Sequence, residues 1–276
     1  MRIVLISDSH VTAKTSRFSE NLKATRRWIE AMRPDHVVHL GDITADGMGD
    51  PAEFALAKAL FDGMAIPMHW LPGNHDVGEN LGSAKEPPVD VARLADFRSV
   101  FGADYWSFEA PGWQIIGLNA LLIGSGLAEE RVQSDWLDRM LETRAANLGL
   151  MLHKPFFRNS SDDREEHVRY LPVTARRDME QRLAAHNLRF VAAGHTHQLR
   201  RLRSDAVEHV WVPSIAFVIP DGLQETIGRK IVGAMVLELT KDGYSFAFVE
   251  PPFAVQYNLG DFPELYPELL SHKHAQ

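Results

Sequence analysis

The chain has 276 residues, of which 45% are hydrophobic and 24% are charged, and this composition is typical of a folded globular protein. Its formal net charge of −8 argues against a general nucleic-acid binder or a protein that binds anionic membranes. Because the sequence contains no cysteine, disulfides, iron–sulfur clusters and thiol catalysis are excluded.

Apolar runs and helical patterns alternate through the first two-thirds of the chain, an order typical of βαβ units. Short apolar runs predict strands at residues 3–6, 37–40, 68–71, 148–152 and 190–193, and a hairpin of strands at 105–109 and 114–118. Amphipathic patterns predict helices at residues 21–32, 89–100, 130–145 and 175–186. A further helix is expected to begin at Pro51, with Asp50 as its N-cap.

The last third of the chain is dominated by strand patterns. Strands are predicted at residues 209–212, 231–239 and 244–250, and the last two are joined by a turn at Lys241-Asp242-Gly243. These hairpins indicate a second, more antiparallel sheet beside the parallel one. We expect an α/β fold in a single domain over residues 1–276, with an irregular C-terminal tail from about residue 251.

No segment has the pattern of a membrane helix or a signal peptide. The most apolar stretch, residues 115–128, is short and is broken by Asn119 and three glycines, whereas a membrane helix needs roughly 18 apolar residues or more. The first apolar run ends at residue 6 and is followed by polar residues, so it predicts a strand. We therefore expect a cytoplasmic protein that does not bind membranes.

Five of the predicted strands are each followed by side chains that can bind a metal ion. These side chains belong to Asp8, His10, Asp42, Asn74, His75, Asp76, His153, His195 and His197. In open α/β sheets, sites form beyond the carboxyl ends of the strands, so the five segments are expected to converge. Each motif alone is common in loops, and it is their co-occurrence that indicates a site.

The chemistry of this set favours particular metals. Carboxylate, amide and imidazole ligands together suit manganese, iron or zinc better than magnesium or calcium. Even seven ligands from this set of nine are too many for one ion, and they fit two ions if one carboxylate bridges them. A pair of metal ions about 3.5–4 Å apart is a known device for displacement at phosphorus.

The motifs Asp8-x-His10, Gly41-Asp42, Gly73-Asn74-His75-Asp76, His153 and Gly194-His195-x-His197 resemble, in order and spacing, those of the calcineurin-like metallophosphoesterases. The resemblance spans residues 8 to 197. It implies a four-layer α-β-β-α sandwich in which two mixed sheets are flanked by helices. Within the family, the motif pattern is most similar to that of bacterial cyclic-nucleotide and glycerophosphodiester phosphodiesterases.

The resemblance also implies a role for each residue. One metal ion would be held by Asp8, His10 and His197, and the second by Asn74, His153 and His195. Asp42 would bridge the two ions, and a hydroxide between them would attack phosphorus. His75 would protonate the leaving alkoxide or stabilise the phosphoryl oxygens, with Asp76 orienting its ring.

Two departures from the family pattern bear on the substrate. The family often has an acid three residues after the bridging aspartate, and Ala45 stands there, one residue before Asp46. We expect a local adjustment of this loop. Relatives that cleave diesters often have a histidine pair where this chain has His153 followed by Lys154, which is expected to contact the substrate phosphate.

The leading hypothesis is a metal-dependent phosphoesterase that acts on small phosphodiesters. The alternatives are a phosphomonoesterase or protein phosphatase on the same site, and a scaffold without catalytic activity. A nuclease is disfavoured because no Lys- and Arg-rich stretch with interleaved aromatic residues is present. The expected partner is a small phosphorylated molecule, and formation of a homo-oligomer is left open.

The remaining histidines are expected to have structural roles. His36, His39 and His69 lie in or beside strands and are expected to be buried and hydrogen-bonded, while His167, His186 and His209 are expected at surface or loop positions. His272 and His274 are expected in a frayed terminus. Whether residues 211–221 form a wall of the substrate pocket is also left open.

Overall fold

The computed structural model of the chain describes residues 1–80, 87–143, 145–263 and 265. His272, His274 and most of the predicted tail beyond residue 263 lie outside these residues. In chain order the described elements are β1 (Arg2–Ile6), α1 (Arg17–Met32), β2 (His36–His39), α2 (Ala52–Ala59), β3 (Met68–Trp70), α3 (Asn74–Val77), α4 (Val91–Phe101), β4 (Trp106–Ala110), β5 (Trp113–Leu118), α5 (Ala128–Glu142), β6 (Asn147–Leu152), α6 (Val173–Leu183), β7 (Leu188–Ala193), β8 (Gln198–Ser204), β9 (Val207–Trp211), β10 (Phe217–Val218), β11 (Arg229–Lys230), β12 (Ala234–Leu239), β13 (Tyr244–Val249) and β14 (Tyr257–Asn258).

Two large mixed sheets form the centre of the fold. The first has the strand order β13-β12-β1-β2-β3, and the second has the order β11-β8-β9-β7-β6-β5-β4. Strands β1, β2 and β3 are parallel, and so are β5, β6, β7 and β9. Antiparallel strands complete both sheets, with β12 and β13 in the first and β4, β8 and β11 in the second.

The central strands are buried on both faces, which explains why they are continuous apolar runs in the sequence. In β1 the side chains of Ile3 and Leu5 pack between the sheets, in the same cluster as Met151 and Phe190 of the second sheet. The alternate residues Val4 and Ile6 pack instead in the cluster that contains the apolar faces of the helices. Alternation along each strand therefore divides the core into layers.

Helices cover the outer faces of the two sheets. Leu22 and Ile29 of α1 are fully buried in the same cluster as β1, and Leu137 of α5 is buried beside β5 and β6. The predicted fold, two mixed sheets flanked by helices, is therefore confirmed. None of the helices in the described ranges is long and apolar enough to cross a membrane.

Strand β8 is absent from the elements predicted from the sequence. Its sequence QLRRLRS places Leu199 and Leu202 three residues apart, so it lacks the alternation on which strand prediction rests. Pairing with β9 fixes it as a strand. The prediction for His209 is also wrong, because this residue lies on β9, is 7% exposed and packs against Phe157.

Helix α2 begins one residue later than predicted and is capped in a different way. The N-cap position is Pro51 instead of Asp50, and the backbone amide of Ala52 donates to Asp50 Oδ1 at 3.2 Å. Glu53, in the first turn of α2, bonds outside the helix. Its Oε2 accepts the backbone amide of Asp46 at 2.8 Å. Glu53 is thus a buried support for the loop that follows β2.

Candidate metal centre

The predicted site residues meet at one edge of the two sheets. Asp8 and His10 follow β1, Asp42 follows β2, and Asn74 and His75 follow β3 of the first sheet; His153, His195 and His197 follow β6 and β7 of the second sheet. All five strands are parallel members of their sheets, and their carboxyl ends therefore point to a shared edge.

The first group of close polar atoms joins the loop after β1 to the loop after β7. Suitable atoms of Asp8, His10 and His197 all lie within 4.8 Å of one another. The Nε2 atoms of His10 and His197 are 3.1 Å apart, and His197 Nε2 is 3.4 Å from Asp8 Oδ1. All three side chains are buried.

The second group joins the loops after β3, β6 and β7. His153 Nε2 lies 3.2 Å from Asn74 Oδ1 and 3.1 Å from His195 Nδ1. Potential ligand atoms of Asp42, His153 and His195 again lie within 4.8 Å of one another. The structure therefore brings His153 to His195, as the sequence hypothesis requires.

Asp42 lies between the two groups. Its Oδ1 accepts the backbone amide of His75 at 3.0 Å, which fixes the carboxylate plane. Its Oδ2 is 3.4 Å from His153 Nε2 in the second group and 3.8 Å from His10 Nε2 in the first. One carboxylate thus faces both groups of imidazoles.

Backbone carbonyl groups fix the orientation of two imidazoles. His197 Nδ1 donates to Phe217 O at 3.0 Å, and His153 Nδ1 donates to Leu40 O at 2.7 Å, because a carbonyl oxygen can only accept. In both rings Nε2 is then the nitrogen that faces the group. Hydrogen bonds of this kind are typical of metal-ligating histidines.

The backbone is strained where candidate ligands occur. Only a few per cent of non-glycine residues adopt a positive φ, and such residues cluster at functional sites. Among the described residues eight do so, and five of these are candidate ligands: Asp8, His10, Asp42, His195 and His197, with φ of 54°, 44°, 50°, 66° and 52°. This local strain turns consecutive side chains towards one point.

Two glycines of the motifs are required by close packing. A Cβ on Gly73 would overlap the carboxylate and backbone nitrogen of Asp42, and a Cβ on Gly194 would overlap Ser7 Oγ and lie 2.9 Å from Asp8 Oδ2. Each glycine therefore lets the loop of one strand approach a candidate ligand on another.

The two carboxylates of the site keep their negative charge, which attracts a cation. Burial would raise the pKa of Asp8, but the neighbouring His197 holds it well below its ordinary value. Burial likewise opposes ionisation of Asp42, yet His153 and His75 lower its pKa well below the usual range. Burial would lower the pKa of His153, but Asp42 raises it to about 9. Two buried carboxylates thus stay ionised among the imidazoles of the site.

The donor set fits a metal ion. Asp8 Oδ1 is buried, and the described part of the chain gives it no hydrogen-bond partner. A buried carboxylate oxygen of this kind is costly unless a cation compensates it. The carboxylates, the amide oxygen of Asn74 and the imidazoles are ligands typical of manganese, iron and zinc sites. The metal-binding residue types predicted from the sequence are therefore present in a suitable arrangement.

His75 and Asp76 have different partners from those expected. His75 Nδ1 donates to Ala45 O at 2.9 Å. Among the described residues, Asp76 accepts hydrogen bonds from the amides of Ile43, Thr44 and Gly73 and from the Thr44 hydroxyl, at 2.7–3.1 Å. The carbonyl of Ala45 thus holds the ring, while Asp76 ties the loop after β3 to the loop after β2.

Lys154 is held inside the protein. Its Nζ lies 2.7 Å from Glu79 Oε2 and donates to Asn80 Oδ1 at 3.0 Å, and all three residues are buried. A contact between Lys154 and a substrate phosphate would require this ion pair to open. Neither Glu79 nor Asn80 was singled out in the sequence, where they follow the Gly-Asn-His-Asp motif in a short polar segment.

Solvent reaches the site from one side. Of the predicted site residues, only His75 and His195 are partly exposed, and the others are buried. Residues 211–221, whose role the sequence left open, pack against the first group: the ring of Phe217 lies 4.9 Å from that of His10, and Ser214 Oγ donates to Asp8 O at 2.8 Å. A substrate would therefore approach over His75 and His195.

Comparison with known proteins relates this chain to phosphoesterases. A family model described as calcineurin-like phosphoesterase matches residues 1–199. A serine/threonine-protein phosphatase of Mus musculus is 24% identical over 70% of this chain and 64% of its own length, so the chain spans slightly less than two-thirds of that relative. A 3',5'-cyclic-nucleotide phosphodiesterase of Nostoc sp. is 24% identical over 92% of this chain and 97% of its own length.

Solved structures share the fold. A dimetal phosphatase from Danio rerio superposes with a TM-score of 0.61, covering 90% of this chain and 95% of its own, at 15% sequence identity. This similarity agrees with two mixed sheets between helical layers.

Proposed function

Because the chain belongs to the calcineurin-like phosphoesterase family, and is accordingly a metal-dependent phosphoester hydrolase, we propose that it hydrolyses small phosphodiesters at a centre of two metal ions. The observation that supports two ions is the position of Asp42, whose Oδ2 faces His153 at 3.4 Å and His10 at 3.8 Å. A carboxylate between two groups of ligands is the arrangement that a shared ligand requires.

The ligand assignment follows the two groups. Asp8, His10 and His197 would hold one ion, Asn74, His153 and His195 would hold the other, and Asp42 would contact both. Manganese, iron or zinc would suit these ligands. Two such ions, when bound, lower the pKa of a coordinated water and neutralise charge on the phosphoryl oxygens.

His75 is the residue proposed to handle the leaving group. Its Nδ1 proton is used in the hydrogen bond to Ala45 O, so Nε2 is the nitrogen that exchanges a proton with the substrate. The ring is partly exposed at the open side of the site, and it lies with its centroid 4.9 Å from that of His10. An imidazole so placed can protonate an alkoxide as the P–O bond breaks.

Asp76 supports this step indirectly. Its carboxylate holds the backbone at Ile43 and Thr44, next to the Ala45 carbonyl that fixes His75. The same carboxylate accepts the amide of Gly73 at 2.9 Å. Asp76 therefore acts as a positioning residue for the His75 ring and for Asn74, which begins the same short helix.

A diester is preferred over a monoester on the evidence of the relatives, since both kinds of ester release an alkoxide that His75 can protonate. The relative named as a cyclic-nucleotide phosphodiesterase matches 92% of this chain, whereas the one named as a protein phosphatase matches 70%. Hydrolysis of a phosphomonoester, or of a phosphoprotein, is the second candidate.

The experiment compares two chromogenic substrates. Metal-stripped protein is assayed on bis(p-nitrophenyl) phosphate and on p-nitrophenyl phosphate, before and after addition of manganese. We expect activity only after manganese is added, with the larger kcat/KM on the diester. A larger kcat/KM on the monoester would assign the protein to the phosphatases, and activity that is indifferent to metal would contradict the proposed site.

A further inference from the structure

A cavity of about 290 Å³ lies between the loop at residues 157–170 and the segment at residues 225–227. Four arginines line it, together with Tyr170 and the acidic residues Asp163, Glu165 and Glu225. The arginines are Arg158, Arg164, Arg169 and Arg176. Such a concentration of guanidinium groups around one cavity is the chemistry that recognises phosphate and carboxylate groups.

Two of the arginines have partners inside the protein. The guanidinium of Arg176 is buried and donates to the carbonyl oxygens of Phe156, Ser161 and Asp163, so it shapes the loop. Arg158 Nη2 pairs with both carboxylate oxygens of Glu225 at 2.6 Å. Arg158 Nε is buried and, within the described ranges, has no hydrogen-bond partner. The donors of Arg158 are therefore only partly used.

Arg164 and Arg169 have no side-chain partner in the described ranges, and Arg169 is the more buried of the two. The candidate for anion binding is therefore Arg169. It is partly buried, and no hydrogen bond or ion pair joins its guanidinium to another residue in the described part of the chain. Burial lowers the pKa of Arg169, and the charge of Arg158 lowers it further although Tyr170 and Glu225 act in the opposite direction. A partly desolvated cation of this kind is costly unless an anion binds beside it.

The walls of the cavity are attached to loops that hold candidate metal ligands. Arg158 follows His153 by five residues, and five residues of fully extended chain span at most about 18 Å. Gln198, directly after His197, contacts the facing segment: its Nε2 donates to Glu225 O at 3.0 Å and its Oε1 accepts the amide of Ile227 at 2.9 Å. Both walls are therefore fixed relative to the metal centre.

The wall at residues 157–170 is also joined to β8. Arg200 on β8 donates to Asn159 Oδ1 at 2.9 Å and to the carbonyl oxygen of Arg158. Its guanidinium also lies over the ring of Trp211, 4.9 Å from the ring centroid. Strand β8 thus supports both walls of the cavity, through Arg200 on one side and Gln198 on the other.

We propose that this cavity, with Arg158 and Arg169, is a subsite for a second phosphate group carried by the substrate. The proposal rests on the proposed function, since it places that phosphate beside the diester held at the metal centre. A phosphate in the cavity forms charge-assisted hydrogen bonds with the guanidinium of Arg169 and with the unused donors of Arg158. Glu225 is largely exposed, with 59% of its side chain accessible, so it can give way to the incoming anion. The preferred substrate class is therefore a small diester that carries a separate phosphomonoester.

Site-resolved chemical labelling tests binding without any hydrolysis. The metal-loaded protein is treated with phenylglyoxal, which modifies arginine, with and without inorganic phosphate, and labelling is followed by peptide mass spectrometry. We expect phosphate to slow labelling of Arg169 at least fivefold. Arg203, an exposed arginine on β8 outside the cavity, serves as the matched control and keeps its labelling rate. Equal rates at Arg169 with and without phosphate would overturn the proposal.

A matched pair of substrates tests whether the anion belongs to the substrate. Thymidine 5'-(p-nitrophenyl phosphate) and its 3'-phosphorylated form differ only in the second phosphate. In the wild-type protein we expect a larger kcat/KM for the 3'-phosphorylated form, and in R169Q the ratio of the two values falls at least tenfold. R169K retains the positive charge and loses the planar guanidinium group. Its ratio of the two kcat/KM values should lie between the ratios of the wild type and R169Q. R203Q keeps the wild-type ratio.

The two tests separate failure of the subsite from failure of the proposed function. If neither diester is hydrolysed but phosphate protects Arg169, the cavity binds phosphate and the diesterase proposal is what fails. If both diesters are hydrolysed with the same kcat/KM, and R169Q leaves their ratio unchanged, the cavity is not a substrate subsite. Protection of Arg169 without any change of the ratio would show that the cavity binds free phosphate only, which also overturns the proposal.

Discussion

The backbone amide of His195 donates to Asp8 Oδ2 at 3.0 Å, joining two residues that lie 187 positions apart. Asp8 follows a strand of the first sheet and His195 follows a strand of the second. The hydrogen bond therefore fixes one sheet to the other at the point where the candidate ligands converge. It also uses one oxygen of Asp8 and leaves Oδ1 for the site.

Gly194→Ala should disturb this junction. The new Cβ would overlap Ser7 Oγ and lie 2.9 Å from Asp8 Oδ2, so the loop after β7 must move away from Asp8. We expect manganese affinity to fall about 10- to 100-fold, the range found when groups that position ligands are altered. Equilibrium dialysis with manganese measures this. Gly243→Ala, where the Cβ meets only Thr240 Oγ1 at 3.4 Å, should retain wild-type affinity; equal loss in both variants would contradict the explanation.

His75→Asn should separate catalysis from metal binding. The substitution removes the proposed proton donor, which contributes typically 10²- to 10⁴-fold to the rate, so kcat on a diester should fall by about that factor. Metal content should not change, because the proposed ligand set excludes His75. Mass spectrometry of bound metal and steady-state kinetics measure the two quantities. His186→Asn, in the loop after α6, is the control, and a kcat of His75→Asn near that of the wild type would exclude the assigned role.

Removing one partner of the buried pair between Lys154 and Glu79 should destabilise the protein strongly. Lys154→Met leaves the carboxylate of Glu79 buried without its cation, which costs about 3–5 kcal/mol in comparable cases. The double variant Lys154→Met with Glu79→Met removes both charges and should recover most of the loss. The midpoints of urea unfolding for the wild type, the single variant and the double variant measure these differences in stability. Lys23→Met, in an exposed pair with Glu20, should leave the midpoint unchanged.

His209 should make stability depend on pH below neutrality. Burial lowers its pKa from 6.5 to about 4 in the folded protein. As pH falls between these values, the unfolded chain binds a proton that the folded chain does not, so the free energy of unfolding decreases. The full decrease is on the order of 3 kcal/mol.

The variant His209→Phe isolates this contribution. Urea midpoints of the wild type and the variant are compared at pH 7.5 and pH 5 in the presence of a chelator, so that metal binding does not contribute. The variant should lose less stability on acidification than the wild type. An equal loss in both proteins would show that His209 does not titrate as its burial requires.

The sequence was sufficient to predict the family, the two mixed sheets and the strand ends at which the candidate ligands lie. This succeeded because doubly buried strands are apolar runs, and because the residues after them, such as Asp42 and His153, are chemically distinctive. Strand β8 and the burial of His209 were missed. Both depend on the pairing between β8 and β9, which local periodicity does not encode.

Contacts made by backbone groups also could not be predicted from the sequence. The carbonyl oxygens of Ala45, Leu40 and Phe217 orient three imidazoles of the site, and any residue type supplies a carbonyl. At Ala45, where the family often has an acid, the backbone carbonyl supports the His75 ring. The single domain and the cytoplasmic location stay predictions.

Anomalous diffraction from crystals of the manganese-loaded protein tests the central claim most directly. Two manganese peaks should lie about 3.5–4 Å apart, one among Asp8, His10 and His197 and the other among Asn74, His153 and His195, with Asp42 in contact with both. A single peak at full occupancy, or two peaks that Asp42 does not bridge, would contradict the proposed dinuclear centre.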